Sequence, residues 1–221
     1  MLRYAVIPTH DRPREFRDCL EAIAPQVNGV IVIAHQTDYP HEYIGAVQGL
    51  EAYAVHRYSD PVPNISTMWN IGLRAASMLA GLDPYRVAVL NDDVIVPPHW
   101  FDLISGHMDH FACVAGSSDQ FDRLTYPAVN RVPGPVPLET RMTGYAFILD
   151  GSANLYADES MGWWYSDDSL EWEARRAGGH VLVPGCKVQH LYPSVSTVGV
   201  LADQAGRDRE TFIAKYGKAP H

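Results

Sequence analysis

Short aliphatic runs divide the chain at regular intervals: YAVIP at residues 4–8, GVIVIAH at 29–35 and RVAVL at 86–90. Continuous apolar runs of this length are the pattern of strands covered on both faces. Between the first two lies THDRPREFRDCLEAI, in which Phe16, Cys19, Leu20 and Ile23 recur at helical spacing. Thr9 or Asp11 is expected to cap that helix, Pro13 suits its first turn and Pro25 closes it. A second helix is predicted across NISTMWNIGLRAASMLAGL, with Ile65, Met68, Ile71 or Gly72, Ala75 and Leu79 on one face.

After RVAVL the chain turns polar at Asn91, Asp92 and Asp93. PPHWFDLISGHMD then predicts a short helix and FACVAGSS a strand, whereas residues 119–140 are rich in Pro, Asn, Arg and Gly without a period and suggest a substrate-facing loop. TGYAFILDGS returns to strand character, and a Trp-rich segment, Met161 to Tyr165, precedes a helix in DDSLEWEARRAGG. A strand in HVLVPG, the segment KVQHLYP and an amphipathic helix from Asp203 to Tyr216 complete the chain. Strands alternating with helices predict an α/β fold: an open mixed sheet, mostly parallel, flanked by helices. Such sheets bind ligands at the carboxyl ends of their strands.

Composition narrows the class of partner. The 221 residues contain no Gly/Ser-rich or Pro-rich linker and are expected to form one domain. No apolar run is long enough to span a bilayer, and MLRYAVIPTHDRP lacks a signal-peptide core, so a cytoplasmic location is expected. Cys19, Cys113 and Cys186 are odd in number and far apart, which suits buried thiols rather than disulfides or a zinc site. A net charge of -9 disfavours adhesion to nucleic acid or anionic lipid. A phosphate ligand would therefore need a metal to help hold it.

The stretch VAVLNDDVIVPP places two adjacent carboxylates where a buried strand ends. Like charges so close repel, and a cation removes the difficulty. Hard divalent ions such as Mg²⁺ or Mn²⁺ take one or two protein carboxylates plus the phosphates of a substrate. Farther along, the acidic pair Asp167 and Asp168 opens a helix, a position that the helix dipole favours and that also suits a general base.

Four pieces in this order, VIPTHDRP, NISTMWNIGLRAA, LNDDVIVPPHW and DESMGWWYSDDSLEWEARRAGGHVLVPGCKVQH, resemble the family 2 nucleotide-sugar glycosyltransferases, which have the GT-A (Rossmann-like) fold. The resemblance runs over most of the chain. It implies a nucleotide-sugar-binding half at residues 1–97 and an acceptor-binding and catalytic half at 98–221. It places Pro8, Thr9, His10, Arg12, Asp38, Asn70, Asn91 and Asp92 around the donor, and Asp93, in a DxD-like motif, on the metal with His190. Gly144, Trp163 and Trp164 would face the acceptor.

The resemblance makes Asp167 or Asp168 the base, according to whether SD or DD is read as the family's acidic pair. The activity implied is an inverting, metal-dependent transfer of sugar from a nucleotide sugar, UDP-linked by expectation, to a hydroxyl of a glycan, lipid-linked sugar, protein or modified base. The alternatives are a nucleotidyltransferase, for which the Gly-rich, Lys-bearing loop after the first strand is missing from PTHDRPRE, and a non-catalytic nucleotide- or carbohydrate-binding module. His107 and His110, and Arg175 and Arg176, are expected on the surface.

Overall fold

A computed structural model describes residues 1–35, 40–108, 113–117, 126–134, 141–191 and 200–219. Its strands are β1 (Leu2–Thr9), β2 (Gly29–His35), β3 (Ala52–Tyr58), β4 (Tyr85–Leu90), β5 (Val94–Ile95), β6 (Val114–Ser117), β7 (Ala128–Asn130), β8 (Ala146–Asp150), β9 (His180–Val183) and β10 (Gln189–His190). The α-helices are α1 (Pro13–Ile23), α2 (Pro40–Val47), α3 (Ile65–Ala80), α4 (Trp100–Ser105), α5 (Ser166–Ala177) and α6 (Val200–Tyr216). Eight strands form one open sheet in the order β3-β2-β1-β4-β8-β6-β9-β7. Only β8 and β7 run against the others, so the sheet is mixed and mostly parallel, as the sequence implies.

The two-residue strand periodicity sorts the core. Ala5 and Ile7 of β1, with Val30, Val32 and Ala34 of β2, face Phe16, Cys19, Leu20 and Ile23 of α1, while Tyr4, Val6, Ile31 and Ile33 face Met68, Trp69, Leu73 and Ala76 of α3. Every residue of β2 is buried, which explains its unbroken apolar run. Close packing is tightest at Gly72, where a Cβ would meet Cγ1 of Val6 at 2.2 Å.

Several elements depart from expectation. Neither Thr9 nor Asp11 caps α1, whose N-cap is Arg12 without a side-chain bond. The Thr9 hydroxyl is engaged by Asp92, and Asp11 adopts φ 48°. Helix α3 is capped by Asn64, which accepts from the Thr67 amide; Met68 and Gly72 are buried as expected, together with Trp69, Leu73, Ala76 and Ala80, whereas Ile71 and Ala75 are only partly buried and Leu79 is exposed. Arg176 is exposed as expected, whereas Arg175 is buried and paired with Glu171 four residues earlier. Helix α2 and strand β3 were not evident from the pattern, and β7 lies within the segment read as a loop. His107 is exposed and all three cysteines are buried free thiols, while His110 lies outside the described residues. Among the described residues no helix is long and apolar enough to cross a membrane.

Strands β1 to β4 are mutually parallel, so their carboxyl ends, at Thr9, His35, Tyr58 and Leu90, open on one edge of the sheet.

Candidate active site

Asp92 and Asp93 follow β4 after the single residue Asn91 and are both buried. The Thr9 hydroxyl, at the end of neighbouring β1, donates to Asp92 Oδ2 at 2.8 Å and lies 3.4 Å from the Tyr43 hydroxyl, which also accepts from the Arg12 amide. The Arg12 guanidinium donates to Asp93 Oδ2 at 3.0 Å and sits 3.6 Å from Asp92 Oδ1. His190 arrives from the far end of the chain because the β5–β10 ladder pairs it with Val94. Its Nε2 lies 3.2 Å from Asp93 Oδ1.

Neighbouring carboxylates thus receive opposite treatment. Burial pushes Asp92 up to about 6 despite the Thr9 hydrogen bond and the Arg12 charge. Burial also works to raise Asp93, but His190 and Arg12 outweigh it and hold that carboxyl below its ordinary value.

These residues fit a divalent cation with few protein ligands. Buried Asp93 Oδ1 makes no hydrogen bond, and a ring nitrogen faces it. Two adjacent ligands of an octahedral ion bound at about 2.1 Å lie about 3 Å apart, close to the spacing of this oxygen and nitrogen. Among the described residues no group of three His, Cys, Asp or Glu side chains could hold a metal, so substrate phosphates or water would have to supply the remaining positions.

The other expected donor residues divide. Pro8 is buried in β1, and Asn91 follows the last residue of β4, its amide donating to the Tyr145 carbonyl at 2.9 Å. His10 is exposed, with Nδ1 3.0 Å from the His35 carbonyl and 3.2 Å from the His35 ring. Asp38 lies outside the described residues. Asn70 is corrected: it is buried, its amide nitrogen donates to the Ala157 carbonyl and to Glu159, and its oxygen accepts from the Ala157 amide. Its polar atoms brace the 157–159 segment against α3 rather than a donor.

The second cluster begins at the start of α5. Asp168 is buried and receives Arg141 on both oxygens, at 2.9 and 3.2 Å. Asp167 is half-buried and lies against Gly144, where a Cβ would come within 3.1 Å of its Oδ2. Glycine therefore keeps the face of Asp167 clear.

Upstream, fully buried Asp208 of α6 accepts the amides of Gly162, Trp163 and Trp164 at 2.8 to 3.0 Å and fixes the segment leading into α5. Trp163 and Trp164 are half-buried, and Trp164 packs on the cluster of Met161, Tyr165 and Phe212. Glu171, also buried, accepts the Met142 amide at 2.6 Å and so anchors the residue beside Arg141. Arg141, Glu171 and Asp208 were not singled out from sequence.

Burial and the neighbouring Asp167 charge push Asp168 up to about 7, against the pull of Arg141. A carboxyl raised in the folded state keeps a proton that the unfolded chain has lost, so its contribution to stability falls as pH rises from about 4 to about 7. His180, which burial lowers to about 3, acts in the opposite sense below about 6.5, the usual histidine value. Comparison of Asp168→Asn with the wild type isolates the aspartate. The melting temperature of the variant, relative to wild type, should rise between pH 5 and pH 8, and a flat difference would refute the shift.

The two clusters meet at Gly144 and Tyr145. Gly144 contacts Asp167, the Tyr145 ring stacks on His190 at 5.0 Å and 18°, and its carbonyl holds Asn91 beside the carboxylate pair.

No family model matches the chain, and no curated protein is significantly similar to it in sequence. Solved structures share its fold. The 4-diphosphocytidyl-2C-methyl-D-erythritol synthase of Anaerococcus prevotii aligns with TM-score 0.53 at 10% identity, covering 95% of this chain and 98% of that one. The nucleoside-diphosphate-sugar pyrophosphorylase of Vibrio cholerae aligns at 0.52 and 12%, covering 92% and 99%. HddC of Yersinia pseudotuberculosis, complexed with GMP-PN, aligns at 0.51 and 9%, covering 96% and 100%. At these identities the likeness is one of fold alone.

Proposed function

We propose that the chain is a nucleotide-sugar transferase that moves a sugar, with inversion, from a UDP-sugar or a related donor to an acceptor hydroxyl. The convergence of the carboxylate pair and the helix-start acid on Gly144 and Tyr145 carries this reading, because glycosyl transfer needs a diphosphate site and a base side by side.

Asp93 and His190 would hold Mn²⁺ or Mg²⁺. When bound, the ion supplies Lewis-acid stabilisation of the departing nucleoside diphosphate. Arg12 can turn its planar fork from Asp93 to a phosphate oxygen. Asn91 and Asp92 meet the ribose or donor sugar, with Asp92 oriented by Thr9. Pro8, Thr9 and His10 border the nucleotide.

On the acceptor side, alongside Trp163 and Trp164, Asp167 takes the acceptor proton as the new oxygen–carbon bond forms and the bond from the anomeric carbon to phosphate breaks. Asp168 has both oxygens committed to Arg141, which favours Asp167 as the base. On this reading the single domain has a donor half at 1–97 and an acceptor half at 98–221, with His190 lent by the second half to the donor site.

The fold comparison favours a second reading, nucleotidyl transfer, since the structures reported above include a pyrophosphorylase and a diphosphocytidyl synthase. Against it stands the segment after β1, THDRPRE, which has neither the glycines nor the lysine of a triphosphate-cradling loop. The phosphate product released separates the two.

A further inference from the structure

Two histidines meet where β1 and β2 end. His35 Nε2 lies 2.8 Å from the Asp60 carbonyl, and His10 Nδ1 lies 3.0 Å from the His35 carbonyl. A carbonyl only accepts, so in the neutral rings the hydrogens sit on His35 Nε2 and His10 Nδ1. His35 Nδ1 is then an acceptor, and it stands 3.2 Å from the N–H of His10, which agrees with that assignment. The last nitrogen of the series, His10 Nε2, carries a lone pair. Its ring is exposed, and among the described residues no hydrogen bond reaches that nitrogen.

The strand order places this acceptor. β1 lies between β4 and β2, and β2 and β4 are two strand spacings apart, about 10 Å. Thr9 and Arg12, which flank His10, turn to Asp92 and Asp93 beyond β4, whereas the His10 ring turns to His35 at the end of β2. A nucleotide with its diphosphate at the carboxylates and its ribose at Asn91 and Asp92 extends its base across β1 to His10. The lone pair then meets the edge of that base. An ionised phosphate would bring it no hydrogen.

We propose that His10 Nε2 determines base specificity by accepting a hydrogen bond from the ring N–H of uracil or thymine, and so selects these bases over cytosine. Cytosine carries a lone pair on the same ring nitrogen, which opposes that of the imidazole. The bonds that run through His35 to the Asp60 carbonyl keep the acceptor presented. This inference rests on the transferase reading, which places the diphosphate, and it supplies a physical reason for a uracil nucleotide.

The test is calorimetric titration of the full chain with UDP, CDP and N3-methyl-UDP, in the presence of Mn²⁺ and at pH 8, where imidazole is neutral. The methyl group replaces only the ring hydrogen. The wild type should bind UDP at least about fivefold more tightly than either of the other two, the worth of one neutral hydrogen bond. His10→Ala removes an exposed side chain and should bind all three nucleotides alike. His10→Phe, a ring without nitrogen, should do the same and decides the matter if His10→Ala fails to fold. Equal wild-type affinity for UDP and N3-methyl-UDP, tighter binding of CDP, or a preference that persists in the folded variants would overturn the proposal and leave the transferase reading standing. Binding of none of the three would remove both.

Discussion

Asp93→Ala should abolish the Mn²⁺-dependent part of UDP affinity while leaving a folded protein. The substitution removes a buried carboxylate oxygen that faces His190 without a hydrogen bond, and with it a residue that touches both His190 and Arg12. Loss of a direct ligand should weaken cation-dependent binding by at least about 100-fold, the upper end of what even indirect supports of a metal site contribute. The fold should survive because removal of Asp93 also relieves its repulsion of Asp92, and Arg12 and His190 are partly solvated. Calorimetric titration of UDP with Mn²⁺ and then with chelator checks this. Equal affinity in wild type and variant would remove Asp93 from the donor site. His190→Ala should show the same loss in milder form.

Asp167→Asn should lower turnover by about 10²- to 10⁴-fold with donor affinity unchanged, since a general base acts on the acceptor proton and not on the bound nucleotide. The amide keeps the shape of the side chain against Gly144 and much of its place in the first turn of α5. Asp168→Asn should cost less, because its oxygens are spent on Arg141 and its loss acts only through the position of that arginine. The measurement is kcat and KM for both variants. A large loss in Asp168→Asn alone would reverse the assignment, and turnover within a few-fold of wild type in both would exclude the start of α5 from the chemistry.

What was legible in the chain follows from how local each signal is. The buried strands β1, β2 and β4 and the helix α1 declare themselves because burial on both faces, or on one helical stripe, leaves a strong local pattern. β3 is only partly buried and carries His56 and Arg57, so its pattern is diluted. The α3 stripe was right at Met68 and Gly72 and misplaced beyond them because Ile71 and Ala75 are as apolar as Leu73 and Ala76, and only the position of β1 decides which set faces it.

The same holds at the site. NDD was visible from its place after a buried run, but the approach of His190 to Asp93 depends on a two-residue ladder between segments nearly a hundred residues apart. Arg141 had no local signature, being distinguished only by Asp168 across 27 residues. Asn70 was misread for the converse reason, since its neighbours in sequence gave no sign that residues 157–159 fold over it.

The central claim is that the Asp92–Asp93 site releases a nucleoside diphosphate from a nucleotide sugar. Phosphorus-31 NMR of the purified chain with Mn²⁺ reads this directly, in one sample with UDP-sugars and in another with UTP and the matching sugar 1-phosphates. The account predicts slow release of UDP from at least one UDP-sugar by transfer to water, no pyrophosphate from the second sample, and loss of the UDP signal in Asp93→Ala. Pyrophosphate appearing from UTP and a sugar 1-phosphate, with the UDP-sugars left intact, would contradict it and establish nucleotidyl transfer instead.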